Sequence, residues 1–298
     1  GEGGLSANQL CWQTPSPTSR DASSQDHTGV TLVLIRTFGN RDIVATNLAS
    51  IASYLKHTGE QLADYLFLVY DASGVDGSAQ SLQAPGLNVL ELNGGNYGGG
   101  GNASLLCELA IAAAQKLDEG VLSEVVLWDD DAFVEPESLL RHRSFVQLRR
   151  EAVVHTALIL SKQRPATVQE YGGIWGSYFT PFTHQPALHA GASRRPFPYL
   201  VRNGRDLGRN ASLLAAGQQV EFGTFIFLSI PMALLQKVEG PVPFFLRNDD
   251  MDLCARLLDA GGELCVNQNL LSWHDAAHNF NGEFFASLHG WIVNGSWY

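Results

Sequence analysis

From Thr31 onward, short apolar runs alternate with stretches whose apolar residues recur every three or four positions. TLVLIRT (31–37) and EVVLW (124–128) predict buried strands, and YLFLVYD (65–71) and LNVLEL (87–92) predict two more strands. Between the first two, residues 42–57 predict a helix with Ile43, Leu48, Ile51 and Leu55 on one side. A glycine run, NGGNYGGGGNAS (93–104), precedes an alanine-rich helix that extends to about Leu117. Strands spaced by helices predict an α/β fold, a three-layer α/β/α sandwich around a mostly parallel sheet.

The second half is less regular. VVHTALILS (153–161), TFIFLSI (224–230) and ELCVN (263–267) read as strands. Pro231 sits where a short helix opens. Asp249 to Asp259 read as a helix ended by Gly261 and Gly262. Residues 162–220 are loop-rich, with no internal repeat there or elsewhere. Residues 1–28, rich in Gly, Ser, Gln, Pro and Thr, read as a flexible lead-in or linker. We therefore expect one domain over 29–278 and a C-terminal aromatic extension over 279–298.

Composition narrows the partners. Of 298 residues only 16% are charged and the net charge is -11, which speaks against nucleic acid as a partner. The same charge gives no general attraction to anionic lipid, and no apolar run reaches the ~20 residues that span a bilayer. Any membrane association would be peripheral or through a partner domain. The start of the chain does not read as a signal peptide. The four cysteines form no CxxC pair, and Cys107 and Cys254 read as buried thiols, so a reducing cytoplasm is the expected compartment. Three Asn-x-Ser sequons, at Asn102, Asn210 and Asn294, carry little weight.

Chemistry concentrates in three places. The apolar run Val125–Trp128 ends in Asp129, Asp130 and Asp131. Three carboxylates that close resist ionisation unless a cation neutralises them, and strand ends in open α/β sheets are where ligands bind. The second cluster is Asp249 and Asp250 in RNDDMDLCARLL; taken alone, acids there serve a helix N-terminus. The third is SWHD, with His274 and Asp275. A lone histidine after a strand is more often structural than a ligand.

The combination resembles a known family. DDD after a hydrophobic strand, followed by EPES, resembles the metal motif of family 2 glycosyltransferases with the GT-A fold, which have a Rossmann-like central sheet. PFFLRNDDMDLCARL, with the His of WHD 24 residues after Asp250, resembles the bacterial galactofuranosyltransferases. The glycine run resembles that group's donor loop. The resemblance spans roughly Thr31 to His278.

The resemblance implies roles. Asp129, Asp131 and His274 would hold Mn²⁺, or Mg²⁺. Asp130 would face the nucleotide sugar. Asp250 would be the general base of an inverting displacement, and Asp249 would bind acceptor hydroxyls. Thr37, Phe38, Asp71, Asn93, Gly98 and Gly99 would line the site of a UDP-sugar donor, with Arg36 or Arg41 available to phosphate. Trp175 and Trp273 would stack on a glycan or lipid-linked glycan acceptor, although core packing is the commoner fate of tryptophan. Gly223, Thr224 and Phe225 stand where the family often has tryptophans, a departure that touches the acceptor. The expected activity is transfer of galactofuranose to a bacterial polysaccharide or glycolipid of the cell envelope. Another hexose or rhamnose is the near alternative. The distant ones are a metal-dependent phosphoryl or nucleotidyl transferase and a non-catalytic carbohydrate-binding module.

Overall fold

A computed structural model describes residues 29–74, 82, 84–146, 152–161, 168–170, 219–220, 222–243 and 249–274. The expected lead-in, the aromatic extension, Asp275 and Trp175 lie outside the described residues, as does most of 162–220.

Among the described residues, ten strands form one sheet. Its first half is parallel: β3 (Asn88–Asn93), β2 (Tyr65–Asp71), β1 (Val30–Thr37) and β4 (Leu122–Asp129) lie side by side in that order. Beyond β4 the sheet becomes mixed. β9 (Leu228–Pro231) runs antiparallel to β4 and to β6 (Val153–Ser161). The long strand β10 (Glu263–His274) runs parallel to β6, and β5 (Ala132–Val134) runs antiparallel to β10. Short strands β7 (Val168–Glu170) and β8 (Gln219–Val220) pair with β6 and β10.

The parity of side chains along β1 and β4 builds the layers. Leu32 and Leu34 on β1, with Val125 and Leu127 on β4, join a core under α2 (Gly98–Ala114), α4 (Met232–Val238) and α5 (Asp249–Asp259). Val33 and Ile35, with Val126 and Trp128, join a second core under α1 (Arg41–Thr58) and α3 (Pro136–Val146). These strands are apolar on both faces because both faces are covered. Within the second core runs a buried polar chain. The Tyr65 hydroxyl shares a hydrogen bond with His142 Nδ1 (2.7 Å), and His142 Nε2 meets Ser229 Oγ at 2.8 Å. The Ser229 hydroxyl donates in turn to Glu124. Burial pushes the His142 imidazole down to about 3, so it is neutral here.

Several sequence expectations shift. TFIF is a buried turn, and only residues from Leu228 are strand; Phe225 and Phe227 are apolar because the turn is enclosed. Pro231 ends β9 and caps α4 from outside, with ψ 132°, instead of sitting in its first turn. α2 begins at Gly98, inside the glycine run, where φ is +79°. The last strand does not stop at Asn267. It bulges between Asn267 and Leu271 and resumes to His274, so Trp273 and His274 belong to the strand. The end of α5 is as expected: Gly261 N–H bonds Leu258 O and Gly262 N–H bonds Leu257 O, both at 2.9 Å, with Gly261 at φ +89°.

Candidate active site at the carboxyl ends of the parallel strands

Pairing aligns the strand ends. Thr37 lies opposite Asp71, Asp71 opposite Asn93, and Arg36 opposite Asp129. One edge of the sheet therefore presents Thr37, Asp71, Asn93 and Asp129 in a row. The ladder continues one residue past the strand ends: Ala72 N–H bonds Thr37 O (2.8 Å), and Gly94 N–H bonds Asp71 O (3.0 Å). The Asp71 carboxylate is nearly buried and accepts from Ser73 N–H at 2.9 Å. Asn93 is exposed.

The acid triplet divides. Asp129 closes β4 on the face covered by α2 and α5, and its Oδ1 is 2.6 Å from the Arg36 guanidinium. The chain then turns. Asp130 accepts a hydrogen bond from Phe38 N–H at 3.1 Å, which ties it to the end of β1. Asp131 leads into β5, whose pairing sets Ala132 opposite His274. As a result Asp131 Oδ2 lies 3.1 Å from His274 Nε2. β5 thus carries the metal-type histidine to the triplet across the sequence.

Electrostatics follows the crowding. Burial pushes the Asp129 carboxyl up to about 6; Arg36 opposes the rise, while Asp131, Asp130 and Asp249 add to it. Burial also raises Asp130, with Thr37, Asn40 and the Phe38 amide working the other way. Asp249 is raised by burial against the pull of Arg36 and backbone amides. Burial works against the Arg36 charge, but Asp129, Asp249, Asp250 and Asp130 outweigh it and hold its pKa above the usual.

The second acid pair tops the same edge. Asp249 and Asp250 open α5. Asp249 is only 6% exposed, its Oδ2 is 3.8 Å from Arg36, and that oxygen has no hydrogen-bond partner. It faces the start of α2, where a Cβ on Gly99 would stand 4.0 Å from it. Asp250 is half-buried and accepts from Met251 N–H at 2.8 Å. Gly98 N–H is bonded to Asn96 Oδ1 at 2.9 Å.

Two aromatic rings flank the edge. Phe38, after β1, is 60% exposed and Tyr97, before α2, is 58% exposed. Tyr97 was not among the sequence candidates; a large exposed aromatic inside a glycine run was its signal. Trp273 is half-buried, opposite Phe133. Arg41 is not free for phosphate in this geometry. It forks onto Glu91 of β3, at 2.7 and 3.1 Å.

Among the described residues no three of His, Cys, Asp and Glu converge as a ready-made cage. The Asp131–His274 pair nevertheless fits two adjacent ligands. Two atoms at about 2.1 Å from one octahedral ion, at right angles, stand about 3 Å apart. An imidazole beside a carboxylate suits Mn²⁺ somewhat better than Mg²⁺.

Solved structures share this architecture. TarS residues 1–349 from S. aureus, in complex with UDP-GlcNAc, superposes with a TM-score of 0.50 at 12% identity. The match covers 83% of this chain and 58% of that one. The mannosyltransferase PcManGT from Pyrobaculum calidifontis, in complex with GDP-Man and Mn²⁺, gives 0.50 at 10% identity, covering 90% and 62%. The fold is GT-A. The chain thus spans about three-fifths of the length of these GT-A neighbours. No protein-family model matches the sequence, and no curated protein does.

Proposed function

We propose that the chain is a metal-dependent, inverting glycosyltransferase that uses a nucleotide sugar. The favoured donor is UDP-galactofuranose, and the acceptor is a hydroxyl of a bacterial polysaccharide or glycolipid. The observation that carries the reading is the meeting of Asp131 with His274 at 3.1 Å, on the sheet edge that also presents Asp249 and Asp250. The GT-A fold supports it: TarS carries UDP-GlcNAc and the Pyrobaculum mannosyltransferase carries GDP-Man with Mn²⁺ at this fold. The order of motifs in the sequence supports galactofuranose over other sugars.

Asp129, Asp131 and His274 would hold the ion, which would supply positive charge to the departing diphosphate. Phe38 and Tyr97 offer ring faces to the nucleobase. Asp71, Asn93 and Asp130 offer acceptors to the ribose and sugar hydroxyls, and Gly98 and Gly99 leave room for the donor to approach backbone. Asp250, at the top of α5, takes the proton of the acceptor hydroxyl as that oxygen bonds to the anomeric carbon. The bond from that carbon to the diphosphate breaks on the opposite face, so the configuration inverts. Asp249 and Trp273 orient the acceptor. A base must stand apart from the cation to keep its basicity, which favours Asp250 on α5 over the acids beside His274 for that role.

The test is calorimetric titration of UDP, then UDP-galactofuranose, with Mn²⁺ or with EDTA, on the wild type and on Asp131→Ala. Metal-dependent UDP binding that disappears in the variant is expected, with tighter binding of UDP-galactofuranose than of other UDP-sugars. Absence of binding to UDP under every metal condition would sink the donor assignment.

A further inference from the structure

The acid triplet meets two different side chains, Arg36 and His274. Arg36 and Asp129 are direct neighbours across β1 and β4, and both point to the face under α2 and α5. Their contact is 2.6 Å, with side chains 18% and 26% exposed. The guanidinium also lies over the ring of Phe225, 5.0 Å from its centroid, and Phe225 is 2% exposed. Arg36 is therefore clamped from below by the sheet and from one side by a buried ring. Its other nitrogen lies 3.8 Å from Asp249 Oδ2, a buried oxygen with no hydrogen-bond partner. Asp131, in contrast, has left this face. The turn after β4 and the pairing of β5 carry it to His274.

We propose that Arg36 is a positioning residue that engages Asp129 and Asp249 together, so that Asp131 and His274, without Asp129, form the protein's ion-binding pair. This rests on the transferase reading above and departs from it in one respect: the family resemblance makes Asp129 a ligand. With Asp129 already facing a fixed positive group, its role is to hold Arg36 between the end of β4 and the start of α5. Arg36 thereby fixes the distance between the ion-binding half of the site and the acids of α5.

The experiment measures Mn²⁺ binding by loss of the free-ion EPR signal, without nucleotide, alongside thermal unfolding. Asp131→Asn is expected to weaken Mn²⁺ binding at least tenfold. The double variant Arg36→Met with Asp129→Asn is expected to bind Mn²⁺ within about threefold of wild type, with a lowered melting temperature because the buried Asp249 is left without its counter-charge. Arg36→Lys keeps the charge but loses the forked reach, and is expected to leave Mn²⁺ affinity within the same range. Loss of Mn²⁺ binding in the double variant to the level of Asp131→Asn would overturn the inference. So would a tenfold gain in Arg36→Lys, which is what release of a competing ligand produces, or a wild type that binds no Mn²⁺. Failure of the transferase reading looks different: Mn²⁺ binds as described, but UDP does not.

Discussion

Asp131 and His274 stand 143 residues apart in the chain and 3.1 Å apart in the fold. Neither side chain is placed by its own neighbours. β5 pairs antiparallel with the end of β10, and that register alone brings them together. His274→Ala should therefore weaken Mn²⁺ binding as much as Asp131→Asn does. Even outer-shell partners of a metal cost ~10–100-fold in affinity, so a ligand should cost at least that. Calorimetry of Mn²⁺ with each variant checks this. Unchanged affinity in His274→Ala would remove the histidine from the site.

The acids of α5 should separate by role. Asp250→Asn is expected to lower kcat by ~10²–10⁴-fold while leaving the affinity for UDP and Mn²⁺ near wild type, the signature of a lost general base. Asp249→Asn should instead lower stability, because it leaves Arg36 with one fewer counter-charge in a half-buried position. Steady-state kinetics and thermal melts distinguish the two. Turnover that survives Asp250→Asn would reassign the base.

His142 should make the protein acid-labile. Its folded pKa is pushed down to about 3 by burial, whereas in an unfolded chain it takes a proton near pH 6.5. Below 6.5 the unfolded state binds more protons, so this group's stability is full above that pH and declines as pH falls toward 3. Between pH 7 and pH 5 the loss is about 2 kcal/mol. Asp129 works in the opposite sense. Its raised carboxyl favours the folded state at low pH, an advantage lost as pH rises through about 6. The measurement is therefore a difference: urea unfolding of wild type and His142→Gln at both pH values. The variant should lose less stability on acidification, and equal slopes would refute the assignment.

Gly94 should tolerate no side chain. A Cβ there would run into the Tyr70 hydroxyl, which donates to Gly95 O at 2.7 Å. Gly94→Ala must displace the ring or the loop, at a cost of ~1–3 kcal/mol typical of overpacking. Because this loop leads from Asn93 to Tyr97, UDP affinity should fall as well. A variant with wild-type melting temperature and UDP affinity would show that the loop gives way freely.

Much of this edge was legible in the sequence. β1, β2 and β4 announce themselves because they are buried on both faces and so read as unbroken apolar runs, whereas β3 at the end of the sheet is largely uncovered. Asp129, Asp71 and Thr37 could be placed at strand ends from those runs alone. What was hidden depended on register. That Arg36 faces Asp129, and that His274 reaches Asp131, follows from which residue sits opposite which, and no single-strand pattern encodes that. β10 was read short because Asn267 and the bulge after it interrupt the apolar run. TFIF was read as strand because an enclosed turn and a central strand are equally apolar.

The bulged strand β10 also sets the order in which the molecule becomes complete. The donor-side residues Thr37, Asp71 and Asn93 come from neighbouring strands encoded in the first third of the chain. The ion pair needs β10, which ends at His274, to dock between β6 and β5. A nascent or truncated chain would hold the early strand ends yet have no Asp131–His274 pair. Mn²⁺ uptake would then serve as a timestamp of folding, marking the moment when β10 docks.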